Sequence, residues 1–279
     1  MGFGCNAAGV VGCRIIDSPR ERLIAMLTNS FIPCNGRFPA LISILTIFFI
    51  GRGGGLLNSG LAALSLTCLI LLGILMSFLA SKLLSATVLR GVPSSFTLEL
   101  SPYRAPQVGK VIIRSVFDRT LFVLGRAVSA AAPAGLLIWL MANVTLGGQT
   151  LLSHCSSFLD PLGQLLGLDG VILMAFILGL PANEIVIPII IMAYTAGGSL
   201  TDISDLGTLS ALLRSNGWGM QTAISVMLFS LMHWPCSTTL MTIKKESGST
   251  LWTLVAAALP TLFGIISCML LNIIVKILL

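Results

Sequence analysis

The stretch Pro181-Ala182-Asn183-Glu184 decides the fold, because it places an ionisable side chain in the middle of apolar sequence. Residues 171–180 and 185–194 are apolar runs on either side, and together they are long enough to cross a bilayer. A carboxylate at membrane depth is costly and by default indicates an ion or substrate path. Pro181 interrupts a helix and so frees backbone carbonyls beside the acid. The alternative is a glutamate that reaches the membrane interface from a helix end or pairs with an arginine.

The composition is that of an integral membrane protein. Of 279 residues, 56% are hydrophobic and 9% are charged, whereas soluble domains carry about 25% charged residues. Long apolar stretches favour helices over a β-barrel, so we predict an all-α, polytopic membrane fold with broken helices. The net charge of +6 comes mostly from residues 14–37 and 82–126. We assign both regions to loops and helix ends on the cytoplasmic side, and no nucleic-acid partner is expected.

Hydropathy predicts six membrane segments, of which the first, fourth and fifth are interrupted by proline. The predicted segments are residues 23–50, 56–81, 127–146, 170–197, 218–243 and 250–278. Residues 147–169 contain no Lys or Arg and are predicted to form an external loop. Residues 108–122 are predicted to form an interfacial helix. The orientation of the last three segments stays open.

Each half of the chain contains a short polar element followed later by a Pro-Cys break. In the first half, Cys5-Asn6 precedes Pro33-Cys34, and in the second half Asn183-Glu184 precedes Pro235-Cys236. Paired interruptions at corresponding places are typical of inverted-repeat transporters, which bind their substrate near the bilayer midplane. The alternative is that proline and glycine are simply common in transmembrane helices.

The polar residues at these breaks are candidate ligands for a transported metal ion. The principal candidates are Cys5, Glu184 and Cys236, and the auxiliary candidates are Cys34, Asn6, Asn183 and His233. Thiolates prefer softer metals and carboxylates prefer harder ones, so a mixed site fits ferrous iron better than sodium or magnesium. For His233 the alternative is a structural role, in which a backbone carbonyl freed by the break satisfies the ring.

Several spaced motifs carry a resemblance to a known family. They are residues 2–6 (Gly-Phe-Gly-Cys-Asn), 17–23, 31–37 (Phe-Ile-Pro-Cys-Asn-Gly-Arg), 180–185, 233–239 (His-Trp-Pro-Cys-Ser-Thr-Thr) and 242–246. In this order they resemble motifs of the ferrous iron transport protein B (FeoB) family, and the resemblance covers nearly the whole chain. One departure is Ala7-Ala8, where the family usually has Val-Pro after Cys-Asn, so the first break is expected to be softer.

The resemblance implies a domain organisation and a set of site residues. Residues 1–50 would be the C-terminal part of a first Gate repeat, 51–120 a middle region and 121–279 a second Gate repeat. The iron path proposed for the family would map onto Cys5, Glu184 and Cys236. The family is located in the bacterial cytoplasmic membrane and carries an N-terminal GTP-binding domain, which we do not find in this sequence.

The expected function is therefore the membrane portion of a ferrous iron transporter. Fe(II) would be the transported ion, no cofactor would be bound permanently, and GTP would act only through the missing domain. Neither a P-loop nor an HExxH motif occurs, so no enzymatic activity is expected. The expected partners are membrane lipid, Fe(II), and either the missing N-terminal half or a second copy of the chain. The alternatives are a nonfunctional remnant, an assembly subunit of a split transporter, or a Gate-type carrier of nucleosides or other small solutes.

Overall fold

The computed structural model describes residues 2–50, 56–91, 107–114, 121–196, 200, 203 and 205–278. In this part of the chain the helices are α1 (Asn6–Gly12), α2 (Pro19–Thr28), α3 (Phe38–Leu45), α4 (Leu56–Ala86), α5 (Val108–Arg114), α6 (Phe122–Asn143), α7 (Leu151–Leu165), α8 (Gly170–Leu178), α9 (Val186–Tyr194), α10 (Leu206–Ser215), α11 (Met220–Met232), α12 (Ser237–Ser247) and α13 (Thr250–Leu278). Strands β1 (Thr145–Leu146) and β2 (Gln149–Thr150) form an antiparallel hairpin. The predicted all-α class is confirmed.

Three helical stretches among the described residues are long and apolar enough to cross a membrane. They are Ser59–Ala86, Met220–Ser247, which contains the break between α11 and α12, and Thr250–Ile277. They correspond to the second, fifth and sixth predicted segments. The other predicted segments contain shorter apolar helices, namely Phe38–Phe49, Ala131–Asn143 and Asn183–Tyr194. The first and fourth segments are divided because proline breaks the helix ladder inside them.

The prediction that residues 147–169 form a loop is wrong, and their external position stays a prediction. Most of this region is α7, which meets α8 at an angle of 108°. The Thr150 side chain caps α7 by accepting a hydrogen bond from the Ser153 amide, 3.2 Å away. The bend is tight, because a Cβ atom added to Gly170 would lie 1.9 Å from the Ser156 carbonyl oxygen. The lack of Lys and Arg in residues 147–169 determines the charge of this region, but it does not determine whether the region is helical.

The start of α2 follows the predicted capping pattern. Ser18 is the N-cap, and its hydroxyl accepts a hydrogen bond from the Glu21 amide at 3.4 Å. Pro19 occupies the first turn, where its missing N–H leaves no helical hydrogen bond unmade. The cap satisfies a backbone donor at the start of α2, the helix that leads into the first break.

Three buried apolar clusters hold the described helices together, and two of them join many elements of the fold. The larger includes Ile44 of α3, Phe176 of α8, Ile190 of α9 and Phe229 of α11. A smaller one joins α1, α2, α12 and α13 through Val10, Leu27, Ile243 and Ala256. Both clusters combine elements from the beginning and the end of the chain, so residues far apart in sequence are packed against each other.

Parts of two predictions lie outside the described residues. Helix α5 covers the start of the predicted interfacial helix, whereas residues 115–120, including Arg119, are not described. The predicted domain boundaries at residues 50 and 120 also adjoin residues that are not described. The division into three regions therefore stays a prediction.

Candidate ion site at the helix breaks

The second break lies between α11 and α12. Helix α11 ends at Met232, and α12 begins at Ser237 after the stretch His233-Trp234-Pro235-Cys236. The Ser237 amide donates a hydrogen bond to the Leu180 carbonyl oxygen at 2.8 Å. This bond joins the second break to the residue just before the Pro181-Ala182-Asn183-Glu184 stretch.

The first break lies between α2 and α3 and is joined to its own polar element in the same way. A short 3₁₀ turn, Asn29–Phe31, follows α2, and Pro33-Cys34 then leads towards α3. The Asn35 amide donates to the Gly4 carbonyl oxygen at 3.2 Å. In both halves, the residue after the cysteine thus donates its amide to the segment just before the polar element.

The two polar elements have nearly the same backbone conformation. Cys5 has φ −149° and ψ 124°, and Ala182 has φ −151° and ψ 120°. Each extended residue is followed by a buried asparagine that begins a helical segment, Asn6 in the first half and Asn183 in the second. These matching local structures support the interpretation that the two halves are repeats.

Side chains from both halves meet between the breaks. The Asn183 side-chain nitrogen lies 3.9 Å from the Cys34 sulfur, and its oxygen lies 3.3 Å from Nε2 of His233. A Cβ atom added to Gly36 would lie 3.6 Å from a carboxylate oxygen of Glu184. The structure thus brings the first Pro-Cys break to the second polar element.

His233 has the backbone contacts that its structural alternative predicts. Its Nδ1 atom lies 2.9 Å from the Ser230 carbonyl oxygen and 3.1 Å from that of Phe229. Both carbonyls belong to the last turn of α11, where the break leaves them without amide donors. The Nε2 atom faces Asn183, so the ring also connects the second break to the second polar element.

The three principal candidate ligands do not form a compact cluster. Among the described residues, no group of three or more His, Cys, Asp or Glu side chains is arranged to hold a metal ion. Cys5 and Glu184 are exposed, and Cys236 is partly buried with its sulfur 3.2 Å from the Thr239 hydroxyl. Their role as ligands stays a prediction.

Arg37 is a residue of the site that the sequence analysis missed. It was assigned to a cytoplasmic basic region, but its side chain is buried between the two breaks with 1% of its surface exposed. The thiols of Cys34 and Cys236 lie within electrostatic reach of its guanidinium group. Arg37 directly follows Pro33-Cys34-Asn35-Gly36. A charged residue inside the break of a membrane segment is unusual, so this position was the signal in the sequence that Arg37 belongs to the site.

The fold and the site are those of a multi-pass helical membrane protein. Each half contains a polar helix break, and the two breaks meet at one site. The model of the Gate family, described as nucleoside recognition, matches residues 66–250. The chain therefore belongs to the Gate family. This result and the membrane helices agree with the predicted location in the cytoplasmic membrane.

Similar proteins confirm the FeoB resemblance. The chain is 30% identical over 270 residues to the Fe(2+) transporter FeoB of Staphylococcus aureus (strain COL), covering 93% of this chain and 37% of that protein. It is 26% identical to the FeoB of Leptospira interrogans and 25% identical to that of Campylobacter jejuni, covering 90% and 91% of this chain and 38% and 42% of those proteins. The chain thus spans about two fifths of the length of these relatives. No solved structure matches it.

Proposed function

We propose that the chain is the membrane portion of a ferrous iron transporter and that Fe(II) crosses at the junction of the two breaks. Cys5, Glu184 and Cys236 are its principal ligands. The observation that supports this most is the position of Asn183, which lies against Cys34 of the first half and against His233 of its own half. The relatives named as Fe(2+) transporters supply the identity of the ion.

The chemistry of the junction suits an ion that must bind and then leave. The thiols at Cys34 and Cys236 are free. Glu184 adds a hard carboxylate, and Asn183 and His233 add neutral donors. Iron(II) is of intermediate softness and accepts all of these ligand types. Incomplete ligation is consistent with transport, because a site that binds too tightly would not release its ion.

The burial of these residues suggests an order of contact. Glu184 is exposed, whereas Asn183 and His233 directly behind it are buried. An incoming cation would therefore meet the carboxylate first and exchange it for the donors between the breaks. A GTP-binding domain, provided by another part of the transporter, would bias the breaks towards an inward-open or outward-open state.

The test is ferrous iron uptake by bacterial cells that lack their own iron transporter. The chain would be expressed alone and with the remaining part of the Staphylococcus aureus relative supplied in trans, at matched membrane levels. We expect uptake from the combination and its loss in Glu184→Gln, which removes the charge and keeps the size. Asp17→Asn is the control, because Asp17 is an exposed carboxylate that precedes α2 and is not a candidate ligand.

The other outcomes distinguish the alternative functions. Absence of iron uptake despite normal insertion and assembly would contradict the proposal and favour a remnant. Uptake of a labelled nucleoside instead of iron would favour a small-solute carrier. Iron uptake that persists in Glu184→Gln would support a ferrous iron transporter and would show that Glu184 is not part of its ion path.

A further inference from the structure

Arg37 binds backbone oxygens from both breaks. Its Nη1 atom donates to the carbonyl oxygens of Ser30 at 3.1 Å and Leu231 at 2.9 Å. Its Nη2 atom donates to those of His233 and Trp234, each at 3.3 Å. Within the described part of the chain, no carboxylate lies in ion-pair contact with this guanidinium. Four neutral oxygens therefore surround one buried positive charge.

These oxygens lie where two helical segments end. Ser30 belongs to the 3₁₀ turn after α2, and the other three residues lie at the end of α11 or just beyond it. Carbonyls at a helix end lack amide donors and carry the negative end of the helix dipole. In membrane transporters, such unwound carbonyls and helix C-terminal ends coordinate small cations such as sodium. The place that Arg37 fills thus has the chemistry of an alkali-cation site.

We infer that Arg37 is a specificity-determining residue that fills, as a tethered cation, a carbonyl site otherwise open to sodium. With the guanidinium in place, the backbone oxygens are not available to hard monovalent ions. The thiol, carboxylate and amide side chains around the breaks then remain as the ligands for a softer ion. That last consequence depends on the proposed function, whereas occupation of the carbonyl site by Arg37 does not.

Removing the guanidinium tests the inference, because the freed oxygens then need another cation. Arg37→Met keeps the unbranched stem but lacks the guanidinium group, and Arg37→Gln is a second neutral variant. Arg37→Lys is the matched control, because its ammonium group can still donate to the carbonyls. The whole chain, purified in detergent, would be unfolded by heat in sodium chloride or in N-methyl-D-glucamine chloride of equal ionic strength.

We expect both neutral variants to gain several degrees in Tm in sodium chloride, with a rise that saturates as sodium increases. The wild type and Arg37→Lys should show no difference between the two salts. A wild type that responds to sodium as strongly as Arg37→Met would overturn the inference. So would neutral variants that are indifferent to sodium, or that fail to fold in either salt while Arg37→Lys folds. The readout contains no iron, so failure of the proposed transport function would be recognised separately.

Discussion

The first break, residues 29–37, and the second break, residues 233–237, share a backbone plan. In each, the residue after Pro-Cys donates its amide to a carbonyl beside a polar element, at 3.2 Å in the first half and 2.8 Å in the second. In each, a glycine of the following long helix faces the backbone two or three residues before the Pro-Cys pair. A Cβ atom at Gly73 would lie 2.6 Å from the Phe31 oxygen, and one at Gly264 would lie 2.8 Å from the Met232 oxygen.

The side chains at corresponding positions differ in charge. Arg37 is the third residue after Cys34, whereas Thr239 is the third after Cys236. Glu184 follows the second asparagine, whereas Ala7 follows the first. The first half thus supplies a fixed cation and the second half supplies a carboxylate. The shared backbone plan therefore carries side chains of opposite charge in its two halves.

The largest expected effect comes from moving the carboxylate between the halves. Glu184→Ala should lower ferrous iron uptake by about 10-fold to 100-fold, a loss similar to that from disturbing the ligand environment of a metal site. Ala7→Glu added to Glu184→Ala should not restore uptake, because Ala7 is buried whereas Glu184 is exposed. The measurement is the uptake assay with the complemented chain, with membrane levels matched. Recovery in the double variant would show that the two halves are interchangeable.

The glycines test the shared backbone plan. Gly73→Ala and Gly264→Ala should each destabilise the chain by about 1–3 kcal/mol, because the added methyl group is forced against a backbone carbonyl. Gly60→Ala is the control on the same helix as Gly73, since a Cβ atom there meets nothing within 4 Å. Thermal unfolding of the chain in detergent would measure all three. Tolerance of only one of the two substitutions would mean that the halves pack differently.

The features of the breaks that depend on residues close together in the chain were predictable from the sequence. Pro33, Pro181 and Pro235 each remove a backbone donor, so the breaks were predictable from the residues themselves. The pairing of each break with its polar element also agrees with the predicted repeat. The alternative given for His233, a ring that faces freed carbonyls, was also predictable, because a helix end supplies such carbonyls wherever it stops.

The features that escaped prediction depend on residues far away in the chain. Burial of Arg37 requires the Leu231 carbonyl, which is 194 positions away, and its sequence neighbourhood resembles a surface turn. Helix α7 was taken for a loop because only its charge was considered. Its packing against α8 depends on the close approach of Gly170 to Ser156. Such approaches are set by tertiary packing, which a single sequence does not display.

The smallest expected effect concerns an ion pair that joins the halves at their surface. Arg14, just after α1, donates to Glu246 near the end of α12 at 2.6 and 2.7 Å. This interaction raises the pKa of the Arg14 guanidinium, which therefore stays charged throughout the physiological range. Glu246→Gln should cost about 1 kcal/mol, because the Arg14 side chain is 60% exposed and screened by water, although the Glu246 side chain is only 12% exposed.

The salt dependence of unfolding checks this assignment. The difference between wild type and Glu246→Gln should shrink at about 1 M salt, where the Debye length falls to roughly 3 Å. Asp17→Asn serves as a control for loss of an exposed carboxylate. A larger loss that does not change with salt would indicate that Glu246 has a structural role beyond this pair.

The most direct measurement of the central claim is protection of individual thiols by ferrous iron. The whole chain, reconstituted in lipid nanodiscs without oxygen, would be labelled with N-ethylmaleimide, and each cysteine would be quantified by mass spectrometry. We predict that Fe(II) slows labelling of Cys5 and Cys236 several-fold and leaves Cys13, which lies after α1 and outside the predicted membrane segments, unchanged. Equal protection of Cys13, or bound iron with no protection of Cys236, would contradict an ion site at the junction of the breaks.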